Sequence, residues 1–543
     1  HAIETLGAAT VLCSDKTGTI TMNSMILDTV CVDGALFRIS RDTGGSLPEK
    51  YHDILEYGML ASQEDPFDPI EKEMHKAGDF FLASTEHVHK DWKLIREYPL
   101  SKDLLALSHV WESPDKKNYV IAAKGSPEAI ADLCHMDAAR QKKMNGCIER
   151  MADSGLRVLG CAKASFTRTE LPDVQHDFVF EFAGLFGFID PVRDTVPDSI
   201  NEAQSAGMRV VMITGDYPGT ATNIAKQIGL KNPGVFITGA ELASMSQSDL
   251  RSRIKEVNVF ARVVPEQKLL IVNALKANGE VVAMTGDGVN DAPALKAAHI
   301  GVAMGERGTD VAREASSLVL LNDDFSSIVA AVRLGRRIFD NLKKAVAYIF
   351  AVHVPIAGMS FLPVLLNLPI VLLPGHIAFL ELIIDPACST VFESVPEEKG
   401  IMHRPPRSLR NPLFGRKSFF VSLMQGLSIL AVVFGVFIYS WATGKGELEA
   451  RTLSFATLVF ANIMLILTNL SWSHGIFRII RTRNPALWGV MFVTLLALFS
   501  VLYAPVLREL FHFSILHPAD ISLAFVLGIS SLLWFEIVKK RLT

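Results

Sequence analysis

The stretch CSDKTGTIT, Cys13–Thr21, follows the apolar run Ala8–Leu12. That run reads as a buried strand. Asp15 then stands at the strand's C-terminal edge, with small residues after it. An aspartate in that position is suited to chemistry on phosphate, provided other strands bring partners to the same edge.

From Gly184 onward strand and helix alternate. AGLFGFID ends at Asp190, MRVVMITGD ends in Thr214-Gly215-Asp216, and NVFARV, EVVAMTGDG and IGVAM follow as strands. DSINEAQSAG, PGTATNIAKQIG, PEQKLLIVNALKANG and NDAPALKAAH read as the helices between them, with Gly207 and Gly279 as stops. Such alternation predicts a parallel sheet with helices on both faces and phosphate-binding groups at the C-terminal strand edge. Asp15, Asp190, Thr214, Asp216, Asp287 and Asn290 all fall there. From Asn23 to about Phe182 the texture differs. ALFRI and NYVIAAK alternate like antiparallel strands, and EKYHDILEYGMLAS and SPEAIADLC read as helices. The expectation is a Rossmann-like α/β domain, residues 1–22 and 184–335, with an α+β domain, residues 23–183, inserted after its first strand.

The chain has 543 residues, with 53 Lys plus Arg against 57 Asp plus Glu and a net charge of −4. That balance argues against a nucleic-acid partner. A mean hydropathy of +0.29 is high for a soluble protein, and the apolar runs concentrate after about residue 340. An amphipathic stretch, Phe325 to Lys344, leads into six runs long enough to span a bilayer. They are Lys344–Leu366, Pro369–Val391, Phe419–Trp441, Leu453–Trp472, Pro485–Val506 and Ile521–Val538, and they make residues 336–543 a transmembrane domain of six helices. Three loops or tails are basic: Lys399, Arg404, Arg407, Arg410, Arg416 and Lys417; Arg478, Arg481 and Arg483; and Lys539-Lys540-Arg541. The alternate loops are not, so the positive-inside rule places the basic loops and the soluble domains in the cytoplasm of a multi-pass protein. The compact loops point to a plasma (inner) membrane. Cys13, Cys31, Cys134, Cys147, Cys161 and Cys388 form no CxxC pair, which gives zinc-site and redox-motif readings no support. The chain opens on His1, and the expectation is a fragment whose upstream part is missing.

Phosphoryl transfer needs a nucleophile, a divalent metal and positive charge on the transferring oxygens. Asp15 is the candidate nucleophile, forming an acyl phosphate, and Lys16 follows it directly. Asp287 is placed to hold Mg²⁺ with Asp15, since magnesium takes sparse carboxylate ligation. Lys268 of PEQK is placed to neutralise the phosphoryl group, and Thr214 and Gly215 to offer it a hydroxyl and a backbone N–H. Inside the second span, Glu381 and Asp385 lie four apart on one helix face, directly before Pro386. Two carboxylates beside a freed carbonyl suit a hard cation. His353 and Pro355 interrupt the first span.

DKTGTIT, KGSPE, DPVR, TGD, PEQK and TGDGVND, in this order and followed by apolar spans, resemble the P-type cation-transporting ATPases of the haloacid dehalogenase superfamily, in the branch of the calcium pumps. The resemblance runs along essentially the whole chain. It implies a Rossmann-like phosphorylation domain, an inserted nucleotide-binding domain, ATP and Mg²⁺ as cofactors, and a transported cation such as Ca²⁺. It implies that Asp15 is phosphorylated, that Thr17 and Asp287 help it bind Mg²⁺, and that Lys268 contacts the phosphoryl group. Thr214, Asp216, Asp190, Asn290 and Asp291 line the site by the same resemblance. It places Glu71, Lys124, Gly125, Arg157 and Arg193 about the nucleotide. Leu100 stands where an adenine-stacking phenylalanine is often found, and Leu104 or Leu105 where a lysine is often found, which leaves Tyr98 as the stacking candidate. In the membrane Asp385 matches a ligand aspartate, Glu381 stands where asparagine is usual, and His353 joins them as a candidate ligand. Ile356 or a neighbour replaces a usual glutamate. An actuator domain and four earlier spans, the N-terminal half of such a pump, are not in the chain, which is expected not to complete a transport cycle alone.

Two other readings compete. A membrane-tethered phosphatase of the same superfamily would often carry an aspartate two residues after the nucleophile, where this chain has Thr17. An inactive fragment serving as a membrane interaction module would not need Asp15, Lys268 and Asp287 together.

Overall fold

In the computed structural model the described residues are 2–542 apart from 40–46, 84, 90, 102, 103, 114–117, 168, 169, 410, 411, 472–474, 482 and 483. His1, Arg410, Trp472 and Arg483 of the sequence reading lie outside them, as do the side chains of Val538, Lys540 and Arg541. The chain divides into two compact units. One runs from Ala9 to Ala330, with Ala2; the other holds residues 331–543, with residues 3–8.

The first unit contains a seven-stranded parallel sheet. Its order is Phe236–Thr238, Val259–Ala261, Arg209–Ile213, Val11–Asp15, Val282–Gly286, Ile300–Met304 and Leu318–Leu320. Val11–Asp15 is central and pairs in parallel with Arg209–Ile213 on one side and Val282–Gly286 on the other. The register sets Asp15 opposite Ile213. Residues 214–216 and Asp287 therefore leave the sheet at the same edge as Asp15. Helices cover both faces, which is why the strands read as unbroken apolar runs. Gly207 (φ 74°) and Gly279 (φ 84°) end the helices Val196–Ser205 and Pro265–Ala277 in the left-handed conformation.

A second seven-stranded sheet is antiparallel, in the order Ala35–Arg38, Ile26–Val32, Glu181–Ile189, Arg157–Thr167, Asn118–Gly125, Ala106–Glu112 and Lys93–Tyr98. One expectation fails here. AGLFGFID does not begin the parallel sheet; Glu181–Ile189 pairs antiparallel with Ile26–Val32 and Arg157–Thr167. The reason is coverage of both faces. Phe186 and Phe188 pack with Ile54, Leu55 and Met74 of one helical layer, whereas Leu185 packs with Met144 and Met151 of another. A strand covered on both sides is apolar throughout, and its sequence does not tell parallel from antiparallel pairing.

The second unit is helical. Among the described residues five helices are long and apolar enough to cross a membrane: Phe325–Leu365, Arg416–Ala442, Glu447–Asn469, Pro485–Tyr503 and Pro518–Ile537. The expected span 369–391 is not one of them. Its helix starts only at Pro374, ends at Pro386, and continues as the wider turn Ala387–Val391. Pro386 has no N–H to donate into the ladder, so regular α-helix stops there. The amphipathic stretch and the first span form a single helix of 41 residues. Glu447–Asn469 is the buried axis of the bundle. At Gly528 a Cβ would come within 2.8 Å of Phe460 Cβ and 2.9 Å of the Thr457 carbonyl oxygen, so glycine sets that close helix approach.

Gly301 plays the same part in the parallel sheet, where a Cβ would meet the Leu295 carbonyl oxygen at 2.7 Å and Ser316 Cα at 3.3 Å. Backbone cannot yield as a side chain can. Gly301→Ala is expected to cost about 1–3 kcal/mol and to lower the thermal unfolding midpoint; an unchanged midpoint would contradict this packing.

Candidate active site

The loop Lys16–Ile20 leaves the central strand through Gly18, whose φ of 76° favours glycine. Hydrogen bonds and ion pairs fix it. Thr21 donates through both N and Oγ1 to the Lys16 carbonyl, at 3.1 and 3.2 Å. Thr21 Oγ1 also lies 2.5 Å from Asp190 Oδ2. Arg193 donates to the carbonyls of Thr21 and Gly18, at 3.2 and 3.1 Å. Lys16 Nζ is buried and pairs with Asp216 at 2.8 Å and Asp190 at 3.6 Å. Lys16, Asp190 and Arg193 thus support the loop and do not line the cleft above it. Consecutive strand-end side chains point to opposite sides, and Asp15 takes the cleft side.

In the cleft Lys268 Nζ lies 2.5 Å from Asp15 Oδ2 and 2.7 Å from Asp291 Oδ1. Asp291 Oδ2 accepts from the N–H groups of Asp287 and Gly288, at 3.3 and 3.2 Å. Asp15, Asp287 and Asp291 place carboxylate oxygens within 4.8 Å of one another. Three carboxylates face one ammonium. Burial raises the Asp15 carboxyl above its ordinary range, with Lys268 opposing. Burial, then Asp15 and Asp291, push Asp287 up to about 6. Burial would lower the Lys268 ammonium, but Asp15 and Asp291 more than offset it and hold it raised. An all-oxygen donor set short of positive charge fits Mg²⁺. Both Asp291 oxygens are already engaged, so Asp15 and Asp287 would hold the ion, with Thr17 beside them.

The cleft, about 580 Å³, is lined by Asp15, Thr17, Thr214, Gly215, Asp216, Lys268, Asp287, Asn290 and Asp291 at one end and by Gly125, Arg157, Leu100 and Leu105 at the other. Lys124 and Glu71 come together, but as a buried pair 2.6 Å apart, with Ser62 Oγ accepting from the same ammonium at 2.7 Å. Tyr98 is not available to stack on a base. It is 5% exposed, its hydroxyl lies 2.5 Å from the Pro172 carbonyl, and its ring meets Phe178 edge-on. The exposed Leu100 and Leu105 supply the apolar surface instead. The sequence reading missed Arg262. This cleft residue sits at φ 55° with its guanidinium 4.2 Å from the Tyr217 ring centre and 3.2 Å from Glu128. Only the position of ARVVPEQK between strand and helix hinted at it.

In the helical unit His353 Nε2 lies 3.3 Å from Glu381 Oε1. His353 Nδ1 faces the Ile349 carbonyl at 2.8 Å, and a carbonyl can only accept. Asp385 is exposed one turn beyond Glu381. Asn462 is fully buried.

Residues 10–299 match the haloacid dehalogenase-like hydrolase family, residues 267–332 match a second family of that description, and residues 369–541 match the cation transporting ATPase C-terminus. The chain is 34% identical over 579 residues to the calcium-transporting ATPase of Bacillus subtilis, covering 100% of this chain and 65% of the relative. It is 34% identical to calcium-transporting ATPase 1 of Lactococcus lactis, covering 94% and 59%, and 32% identical to calcium-transporting ATPase 1 of Saccharomyces cerevisiae, covering 99% and 61%. The chain thus spans 59–65% of the length of these relatives. With its apolar helices and this kinship it is an integral membrane protein. The Asp15 edge of a parallel sheet and the match over residues 10–299 lead to one conclusion: the chain belongs to the haloacid dehalogenase-like hydrolases, with a region similar to the cation transporting ATPase C-terminus after it.

Proposed function

We propose that the chain accepts the γ-phosphoryl group of ATP on Asp15 and that this step serves transport of a cation through the helical unit. The observation that carries the reading is the Lys268 ammonium locked between Asp15 and Asp291 at the sheet edge. An Asp15 oxygen attacks the γ-phosphorus; the new O–P bond forms as the bond to the ADP oxygen breaks. Lys268 balances charge on the transferring oxygens, and Thr214 and Gly215 offer donors beside them. Mg²⁺, held by Asp15 and Asp287 with Thr17, would supply further charge neutralisation. The nucleotide lies along the cleft towards Gly125, Arg157 and Arg262, with its base against Leu100 and Leu105. The inserted part, extended through the strand Glu181–Ile189, is then the nucleotide-binding part and the parallel sheet the phosphorylation part.

The cation site is Glu381 and His353, with Asp385. Nε2 and a carboxylate oxygen facing each other at 3.3 Å suit a cation or a proton between them. The names of the relatives favour Ca²⁺. The basic loops of the sequence support a cytoplasmic position for the soluble part.

With ATP and Mg²⁺ the chain is expected to form an acid-stable, hydroxylamine-labile label that Asp15→Asn lacks. Label persisting in that variant would remove Asp15 as nucleophile, and dependence of the label on Ca²⁺ would identify the ion. Lys268→Ala is expected to slow label formation about 100- to 1,000-fold, read by rapid quench. Thr17→Asp supplies the acid–base group of a phosphatase and is expected to shorten the lifetime of the label in a chase with unlabelled ATP. An unchanged lifetime would mean that Thr17 does not govern persistence.

A further inference from the structure

The first turn of the helix His52–Leu60 carries Asp53, and the next turn carries Glu56 on the same face. Glu56 is 9% exposed, and each of its carboxylate oxygens meets a different imidazole. Oε2 lies 2.5 Å from His87 Nδ1 and Oε1 lies 2.7 Å from His89 Nε2. Asp53, Glu56 and His87 bring one ligand atom each within 4.8 Å of the others. Both histidines are held from behind. The His89 ring stacks on Trp92 at 3.8 Å, and the His52 ring meets His87 edge-on at 5.2 Å. None of these residues lines the phosphate cleft.

We propose that Asp53, Glu56 and His87 bind a divalent transition-metal ion of the zinc type, with His89 orienting Glu56 through its second oxygen. Imidazole nitrogen with carboxylate oxygen selects such an ion over Mg²⁺ or Ca²⁺. The site uses no thiol, so the scattered cysteines do not bear on it. A metal on His87 Nδ1 would take the place of the hydrogen bond to Glu56, with the neutral ring then carrying its single proton on Nε2. His89 contributes as metal-site carboxylates and histidines do when a second group fixes their orientation. Asp53 opens the site to solvent and shares its other face with Lys163, 2.8 Å away. A bound ion would clamp His87 to the helix.

The test uses the full chain in detergent with Mg²⁺ present, stripped with a chelator and titrated with Zn²⁺ against a chromophoric competitor. One tight equivalent is expected, together with an upward shift of the thermal midpoint. Both are expected to be lost in Glu56→Gln and in Asp53→Asn, the latter a half-exposed position where folding is not at stake. His89→Ala is expected to weaken binding about 10- to 100-fold. Zinc retained equally by all variants, or by none including the parent chain, would overturn the site and leave plain His–Glu hydrogen bonds. Labelling of Asp15 from ATP is read on the same samples and is expected to be unchanged, because the two sites share no residue.

Discussion

The ammonium of Lys268, held between Asp15 and Asp291, is the contact on which the cleft depends. Its partners are far apart in sequence, and only the parallel register of three strands brings them to one edge. Buried carboxylates repel one another and lose hydration; without the lysine, Asp15 would be pushed still further towards its protonated, non-nucleophilic form. With one ammonium for three carboxylates the site is still short of positive charge. That deficit makes it receptive to a metal ion and keeps it from being a merely structural salt bridge.

The loop beneath is rigid for a related reason. Lys16, Thr21, Asp190, Asp216 and Arg193 form a hydrogen-bonded and ion-paired seat that lets Asp15 present its carboxylate without help from solvent. On the proposed function positioning matters, because phosphoryl transfer asks little covalent chemistry of a protein and much alignment. Residues adjacent in sequence thus divide the work: Asp15 faces the cleft, and Lys16 secures the loop that holds it.

That division was only partly legible in the sequence. Strand ends followed by small and acidic residues located Asp15, Thr214, Asp216 and Asp287, because apolar runs mark buried strands and parallel sheets collect functional groups at one edge. The side to which Lys16 points depends on alternation at the strand end, which a motif does not display. Tyr98 looked available because its partner, Phe178, lies far along the chain. Arg262 reaches the cleft from a left-handed backbone position that no composition signal announces. The strand Glu181–Ile189 read as parallel because two helical layers cover it. The second span read as continuous because hydropathy does not register that Pro386 interrupts the ladder.

The helical unit repeats the electrostatic device in another setting. Glu381 and Asp385 outnumber the single imidazole beside them, as three carboxylates outnumber Lys268. On the function proposed above, that excess is what would draw a cation to the pair, since ionisable groups among apolar helices are costly unless something compensates them. Pro386 adds to this because it has no N–H to donate into the ladder, so the carboxylates and the end of the regular helix fall in one short stretch of the sequence.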